Sequence, residues 1–122
     1  QGLPIQKQPD YKTHRVKKTL NYTGKRNKYN QIYLVRNAFF EPSLNPNKDV
    51  ISECLNRISL SFKNKKPAII GSHRLNYIGS LVPENRDQNL ILLDKLLKQI
   101  LIQWPDVQFM SSSQLATLIR NE

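Results

Sequence analysis

Three short β-rich runs alternate with three helix-patterned segments, and this alternation limits the fold more than any other feature of the chain. The runs are Gln31-Ile32-Tyr33-Leu34-Val35, Ala68-Ile69-Ile70 and Val107-Gln108-Phe109-Met110. The first helical pattern spans about Asp49 to Lys63, where Ile51, Cys54, Leu55, Ile58 and Phe62 form one apolar stripe. Pro67 stops it. The second opens at Pro83-Glu84-Asn85-Arg86-Asp87, with Leu90, Leu93, Leu97, Ile100, Leu101 and Trp104 as its apolar face, and closes at Pro105-Asp106. The third covers Gln114 to Arg120 behind a Ser111-Ser112-Ser113 cap, with Leu115, Leu118 and Ile119 inward. The order β-α-β-α-β-α, without hairpin signals between the runs, predicts an α/β fold with parallel strands joined by right-handed crossovers. Ala68-Ile69-Ile70 is apolar on both faces, as a buried parallel strand is.

A chain of 122 residues holds one modest core. It divides by composition into a basic extended or loop segment, residues 1–30, and an α/β region, residues 31–122. The net charge of +10 is concentrated early: residues 1–36 carry nine Lys or Arg against one acid. Tyr11, Tyr22, Tyr29 and Tyr33 are interleaved with these cations. Such a surface suits nucleic acid, an anionic polymer or plain solvation, and no recognised nucleic-acid motif accompanies it. No apolar run reaches the length that crosses a bilayer, so no membrane partner is expected. Cys54 is alone and on the apolar stripe, where it acts as a small hydrophobe. The start, Gln1-Gly2-Leu3-Pro4-Ile5, has neither an initiator Met nor a signal-peptide core and reads as a processed or cloned start.

The chemistry-bearing segment is Ile70-Gly71-Ser72-His73-Arg74-Leu75-Asn76-Tyr77, an apolar run opening through glycine into a polar loop. Ligands sit at the carboxyl ends of strands in α/β sheets and barrels. His73 there suits general acid or base work, while its bland reading is a loop histidine bonding the backbone. Arg74, Asn76 and Tyr77 share the loop and suit hydroxyl or carboxylate groups; Arg74 is equally suited to pair with Glu84 or Asp87. Arg36, Asn37 and Glu41, beyond the first run, are expected on the same rim as His73 if the strands are parallel neighbours. Other constellations fail. With His14 and His73 as the two histidines, no paired-histidine metal motif exists in the chain. There is no Gly-rich phosphate loop, and no carboxylate partner for a Ser-His-Asp arrangement is evident from the sequence.

Four phrases carry a family resemblance: Gln31 to Ser43, Lys66 to Gly79, Asn85-Arg86-Asp87, and Trp104 to Ser112. Together they resemble the carboxyl-terminal part of bacterial, Bacteroidetes-type proteins of the polysaccharide deacetylase superfamily, from about residue 20 to the end. The resemblance implies an irregular β/α barrel of which this chain would be the last third. It implies removal of acetyl groups from N-acetylated sugars with a divalent metal, usually zinc. His73 would match the family's late histidine, the acid. The family's aspartate pair and His-x-x-x-His motif have no counterpart here, so the chain alone is expected to be inactive. The partners implied are a carbohydrate polymer or oligosaccharide and an amino-terminal part of the same protein. The compartment stays open between cytoplasmic and periplasmic or secreted. The competing expectation is a non-catalytic basic α/β module that binds an anionic glycan or nucleic acid.

Overall fold

A computed structural model of the protein describes residues 5–10 and 15–121. Tyr11 and His14, both used in the sequence argument, lie outside the described residues. The elements are β1 (Ile5–Asp10), β2 (Arg15–Leu20), β3 (Ala38–Phe39), α1 (Val50–Lys63), β4 (Ile70–Gly71), a 3-10 turn (Arg74–Tyr77), α2 (Pro83–Gln103) and α3 (Ser112–Arg120). The fold is mixed α/β. The chain forms two compact units, one made of residues up to Val35 and from Met110 onward, the other Arg36–Phe109.

The second unit holds the core. Ala38, Phe40, Val50, Cys54, Leu55, Ile58, Leu96 and Ile100 are buried together, flanked by Ile51, Phe62, Leu92, Leu93, Trp104 and Val107. Full burial of a side chain such as Phe40 or Ile58 contributes about 1.5–3 kcal/mol. Phe62 and Trp104 meet edge to face with centroids 5.2 Å apart, which joins the end of α1 to the end of α2.

The helix bounds follow their sequence signals, but the expected inward faces do not all hold: α2 buries Asn89, Leu96 and Ile100 while Leu90, Leu97 and Leu101 are exposed, and Leu118 of α3 is exposed too. Asp49 caps α1: its Oδ1 accepts from the Ser52 amide at 3.1 Å and its Oδ2 from the Ser52 hydroxyl at 2.8 Å. At the other end Lys65 takes φ 55°, the Lys66 amide donates to Ser61 O at 2.9 Å, and the Lys65 amide donates to Phe62 O at 3.0 Å. These two bonds make a Schellman closure with lysine where glycine is usual. Pro83 opens α2, and Ser111 and Gln114 form a reciprocal capping box at the start of α3.

The strands depart from expectation. β3 and β4 pair in parallel, Ala38 opposite Ile70 and Phe39 opposite Gly71. The expected strand at residues 31–35 is not formed; Ile32 makes an isolated antiparallel bridge with Arg26. Local bonds explain the difference. The Gly24 amide donates to Tyr33 O at 2.9 Å, the Tyr33 amide to Lys25 O at 2.9 Å, and the Val35 amide to Thr23 Oγ1 at 3.1 Å. The run folds back on its own preceding loop, and the parallel strand begins only at Ala38. The expected strand at residues 107–110 is also absent: Val107 donates its amide to Trp104 O at 3.0 Å in a turn that ends α2. In the amino-terminal region, where no hairpin was expected, β1 and β2 pair antiparallel from Ile5 opposite Leu20 to Asp10 opposite Arg15. The three-strand parallel sheet therefore reduces, among the described residues, to the pair β3–β4.

Candidate functional site

Parallel pairing of β3 and β4 brings the segments after Phe39 and Gly71 side by side, and the site is built there. Glu41, on the first segment, is buried, with a side chain 10% exposed. Its Oε1 lies 2.5 Å from His73 Nδ1 on the second segment. Its two oxygens also accept the His73 amide at 3.2 and 3.3 Å, and Oε2 accepts from Asn76 Nδ2 at 2.6 Å. Burial by itself would raise the Glu41 carboxyl. The bonds from Asn76 and from the ring and amide of His73, with the histidine's charge, outweigh that and hold it below its ordinary value. An ionised carboxylate only accepts, so His73 Nδ1 carries the proton of the shared bond. The remaining ring nitrogen, Nε2, is at the far edge of a side chain that is 61% exposed. A carboxylate that fixes one nitrogen of an exposed imidazole sets its tautomer and leaves the other nitrogen to take or give a proton.

Asn76 locks the arrangement. It is 0% exposed. Its Oδ1 accepts the Ser43 amide at 3.0 Å, and its Nδ2 donates to His73 O at 2.8 Å as well as to Glu41. The helix α2 supplies the next layer. Asn89 Nδ2 donates to Asn76 O at 2.7 Å and to Ser43 Oγ at 2.8 Å, and Ser43 Oγ donates to Asn85 Oδ1 at 2.7 Å. Asn85 Nδ2 donates to Leu75 O and to Ile78 O, each at 3.0 Å, and so closes the loop onto the start of α2. Among the described residues, no buried side-chain polar atom lacks a partner.

Ser72 and Tyr77 lie on the outer side of the loop. Ser72 Oγ donates to Phe40 O at 2.7 Å, so its single proton is used, and the contact of 2.7 Å with Tyr77 Oη runs from the tyrosine to the serine. A nucleophilic serine activated by His73 is therefore not what this loop builds.

The candidate residues thus divide. Glu41, His73, Asn76 and Tyr77 come together at the carboxyl ends of β3 and β4. Arg36 and Asn37 do not join them: β3 starts after both, so they precede the strand instead of following it. Asn37 works there as a strand extension, its Oδ1 accepting the Ile69 amide at 2.7 Å and its Nδ2 donating to Pro67 O at 2.9 Å. The Arg36 stem passes so close to Gly71 that a Cβ on that glycine would meet Arg36 Cδ at 2.9 Å. Arg74 is exposed at the start of the 3-10 turn; the ion pair with Asp87 is made by Arg86 at 2.9 Å. Sequence reasoning missed Ser43, Asn85 and Asn89. The available signal was Asn85 and Asn89 standing four apart in line with the buried Leu96 and Ile100 of α2.

The described residues of this site do not by themselves make a divalent-metal centre. Among the described residues no group of three or more His, Cys, Asp or Glu stands close enough to hold one. Glu41 and His73 Nδ1 are committed to each other, which leaves His73 Nε2 as a single donor where zinc sites take at least three protein ligands. A concavity of about 360 Å³ on α3, lined by Ser113, Gln114, Thr117, Leu118 and Asn121, contains none of the candidate residues. Among the described residues no helix is long and apolar enough to cross a membrane. No family model, curated protein or solved structure matches the chain.

Proposed function

We propose that this chain carries the proton-transfer histidine of a carbohydrate deacetylase-like hydrolase acting on N-acetylated sugars. The observation that carries the proposal is the Glu41–His73 pair at the carboxyl ends of two adjacent parallel strands. In this reading His73, protonated on both nitrogens, gives the Nε2 proton to the amine leaving the acetyl group, and Glu41 holds the ring and stabilises its charge. Asn76 positions both through its Nδ2, which donates to Glu41 Oε2 and to His73 O. Tyr77, whose oxygen keeps acceptor capacity after donating to Ser72, contacts substrate hydroxyl or amide donors, as does the exposed Arg74 for acceptors. The resemblance of the four sequence phrases to polysaccharide deacetylases supplies the substrate class, and the barrel with it. In this reading the groups that activate water lie outside these 122 residues, which are then expected to be inactive alone.

The test is acetate release from N-acetylglucosamine oligomers by the full-length gene product supplied with zinc. Replacing His73 by Ala should lower kcat by about 10²–10⁴-fold with little change in KM, the usual contribution of a general acid. A variant that keeps wild-type kcat across the pH range removes the acid role. If the full-length protein releases no acetate, yet its carbohydrate binding persists, the non-catalytic binding module replaces the hydrolase.

A further inference from the structure

The segment from Gly24 to Tyr33 closes into a tight hairpin in which the side-chain oxygens of Asn27, Asn30 and Gln31 each accept a bond from within the turn. Asn30 donates its amide to Asn27 O at 3.0 Å and adopts φ 61°. Asn27 Oδ1 accepts the amides of Tyr29 at 2.9 Å and Gln31 at 3.0 Å. Asn27 Nδ2 donates to Gln31 Oε1 at 2.7 Å, and Arg26 Nη1 donates to Asn30 Oδ1 at 2.9 Å. Both exposed amide side chains, Asn30 and Gln31, thus turn an oxygen lone pair into the turn and keep their N–H groups to offer. Arg26 and Lys28 add cations, and residues 21–35 contain no acid. Tyr29 protrudes at the tip, 72% exposed, with the Lys28 ammonium 5.0 Å from its ring centre. Tyr33 is half-buried, so the tip presents one ring.

We infer that this hairpin tip binds a carboxylate-bearing glycan, one sugar ring seated on Tyr29 and its acid group held by Arg26 and Lys28. A surface weighted toward donors and cations, with no carboxylate on it, favours a partner rich in acceptors. Single-stranded nucleic acid shares that property, but its binding surfaces stack successive bases on successive rings, and one ring at a hairpin tip matches one pyranose better. Hyaluronan-type chains, which alternate an N-acetylated sugar with a uronic acid, combine this chemistry with the substrate class proposed above; the inference rests on that reading for the N-acetyl group and on the hairpin for the acid.

Binding of a short hyaluronan oligosaccharide to the 122-residue chain, followed by calorimetry at low and raised salt, tests it. Wild type should bind, more weakly as salt rises, and should bind the uncharged hexamer of N-acetylglucosamine at least about tenfold less well, as the loss of one charge-assisted contact requires. Tyr29→Ala should lose about tenfold in affinity while Tyr29→Phe keeps it, and R26A/K28A should abolish the salt dependence. No hyaluronan binding, an unchanged Tyr29→Ala affinity, or single-stranded poly(U) binding more tightly than hyaluronan would overturn the inference. Binding needs no catalysis, so a protein that binds hyaluronan as described and releases no acetate loses the hydrolase reading alone.

Discussion

Glu41 Oε1 and His73 Nδ1 meet at 2.5 Å although the two residues are 32 apart in sequence. Only the parallel register of Ala38 with Ile70 and Phe39 with Gly71 makes this encounter possible. Each residue lies two positions past its strand, so a one-residue slip would send one of them to the opposite face. The pairing is therefore a product of the fold, and its consequences can be measured through either partner.

Replacing Glu41 by Gln should destabilise the protein by about 1–3 kcal/mol at neutral pH, because one of the donors gathered on the carboxylate then faces an NH₂ group. The pH dependence has a definite sign. The Glu41 carboxyl lies below 4.5 in the folded protein, its ordinary value. Its stabilisation is thus complete above about pH 4.5 and is lost as pH falls through the lower, folded value. Urea unfolding at a series of pH values should show the gap between wild type and Glu41→Gln closing on acidification. A gap that stays constant would show that the carboxylate's charge is not what the site uses.

Asn76→Asp is nearly isosteric and should be worse than Asn76→Ala. The amide donates to Glu41 Oε2 and to His73 O, and a carboxylate in its place would turn both contacts repulsive within a fully buried site. A loss of about 3 kcal/mol or more is expected for Asp, the range for an uncompensated buried charge. Equilibrium denaturation of the two variants side by side decides the order.

The helix bounds were legible because their signals are local, whereas the inward face of α2 was not, since Leu96 and Asn89 are buried where Leu90, Leu97 and Leu101 were expected. Asp49, the three-and-four spacing of Ile51 to Phe62, and Pro67 delimit α1 without help from the rest of the chain. The strands were not, because β character is read from side chains while pairing depends on which backbone groups are free. Ile32 to Val35 has strand composition, yet Thr23, Gly24 and Lys25 take its hydrogen bonds first. That error moved Arg36 and Asn37 to the wrong end of the sheet. The site was half legible: Glu41, His73, Asn76 and Tyr77 stand out as polar residues after apolar runs. The Glu41–His73 contact follows from the parallel register of β3 and β4, and the support from Ser43, Asn85 and Asn89 from the packing of α2 against the loop, which no local pattern encodes.

Lys65→Gly should stabilise the protein. Lys65 is exposed and closes α1 in the left-handed region at φ 55°, which costs a residue with a Cβ about 1–2 kcal/mol. Glycine removes that cost and gives back about 0.5–1 kcal/mol through its freer unfolded chain. The net gain should be about 0.5–1 kcal/mol, read as a higher urea midpoint at unchanged slope.

Cys54 should resist alkylation in the native protein. Its thiol is fully buried against α1's neighbours in the core, and burial, with the nearby Glu53 charge adding to it, pushes its pKa up to about 11. The reactive thiolate is then a very small fraction at pH 8, and the sulfur is out of reach of the reagent as well. Iodoacetamide at pH 8 should leave Cys54 unmodified by mass spectrometry over a time that fully labels it in urea. Raising the pH to 9 should scarcely speed native labelling if access is limiting, whereas adding low urea should speed it in proportion to the opening of the core. Rapid native labelling would mean that the face of α1 carrying Cys54 and Ile58 is not the sealed interior on which the Phe40 end of β3 depends.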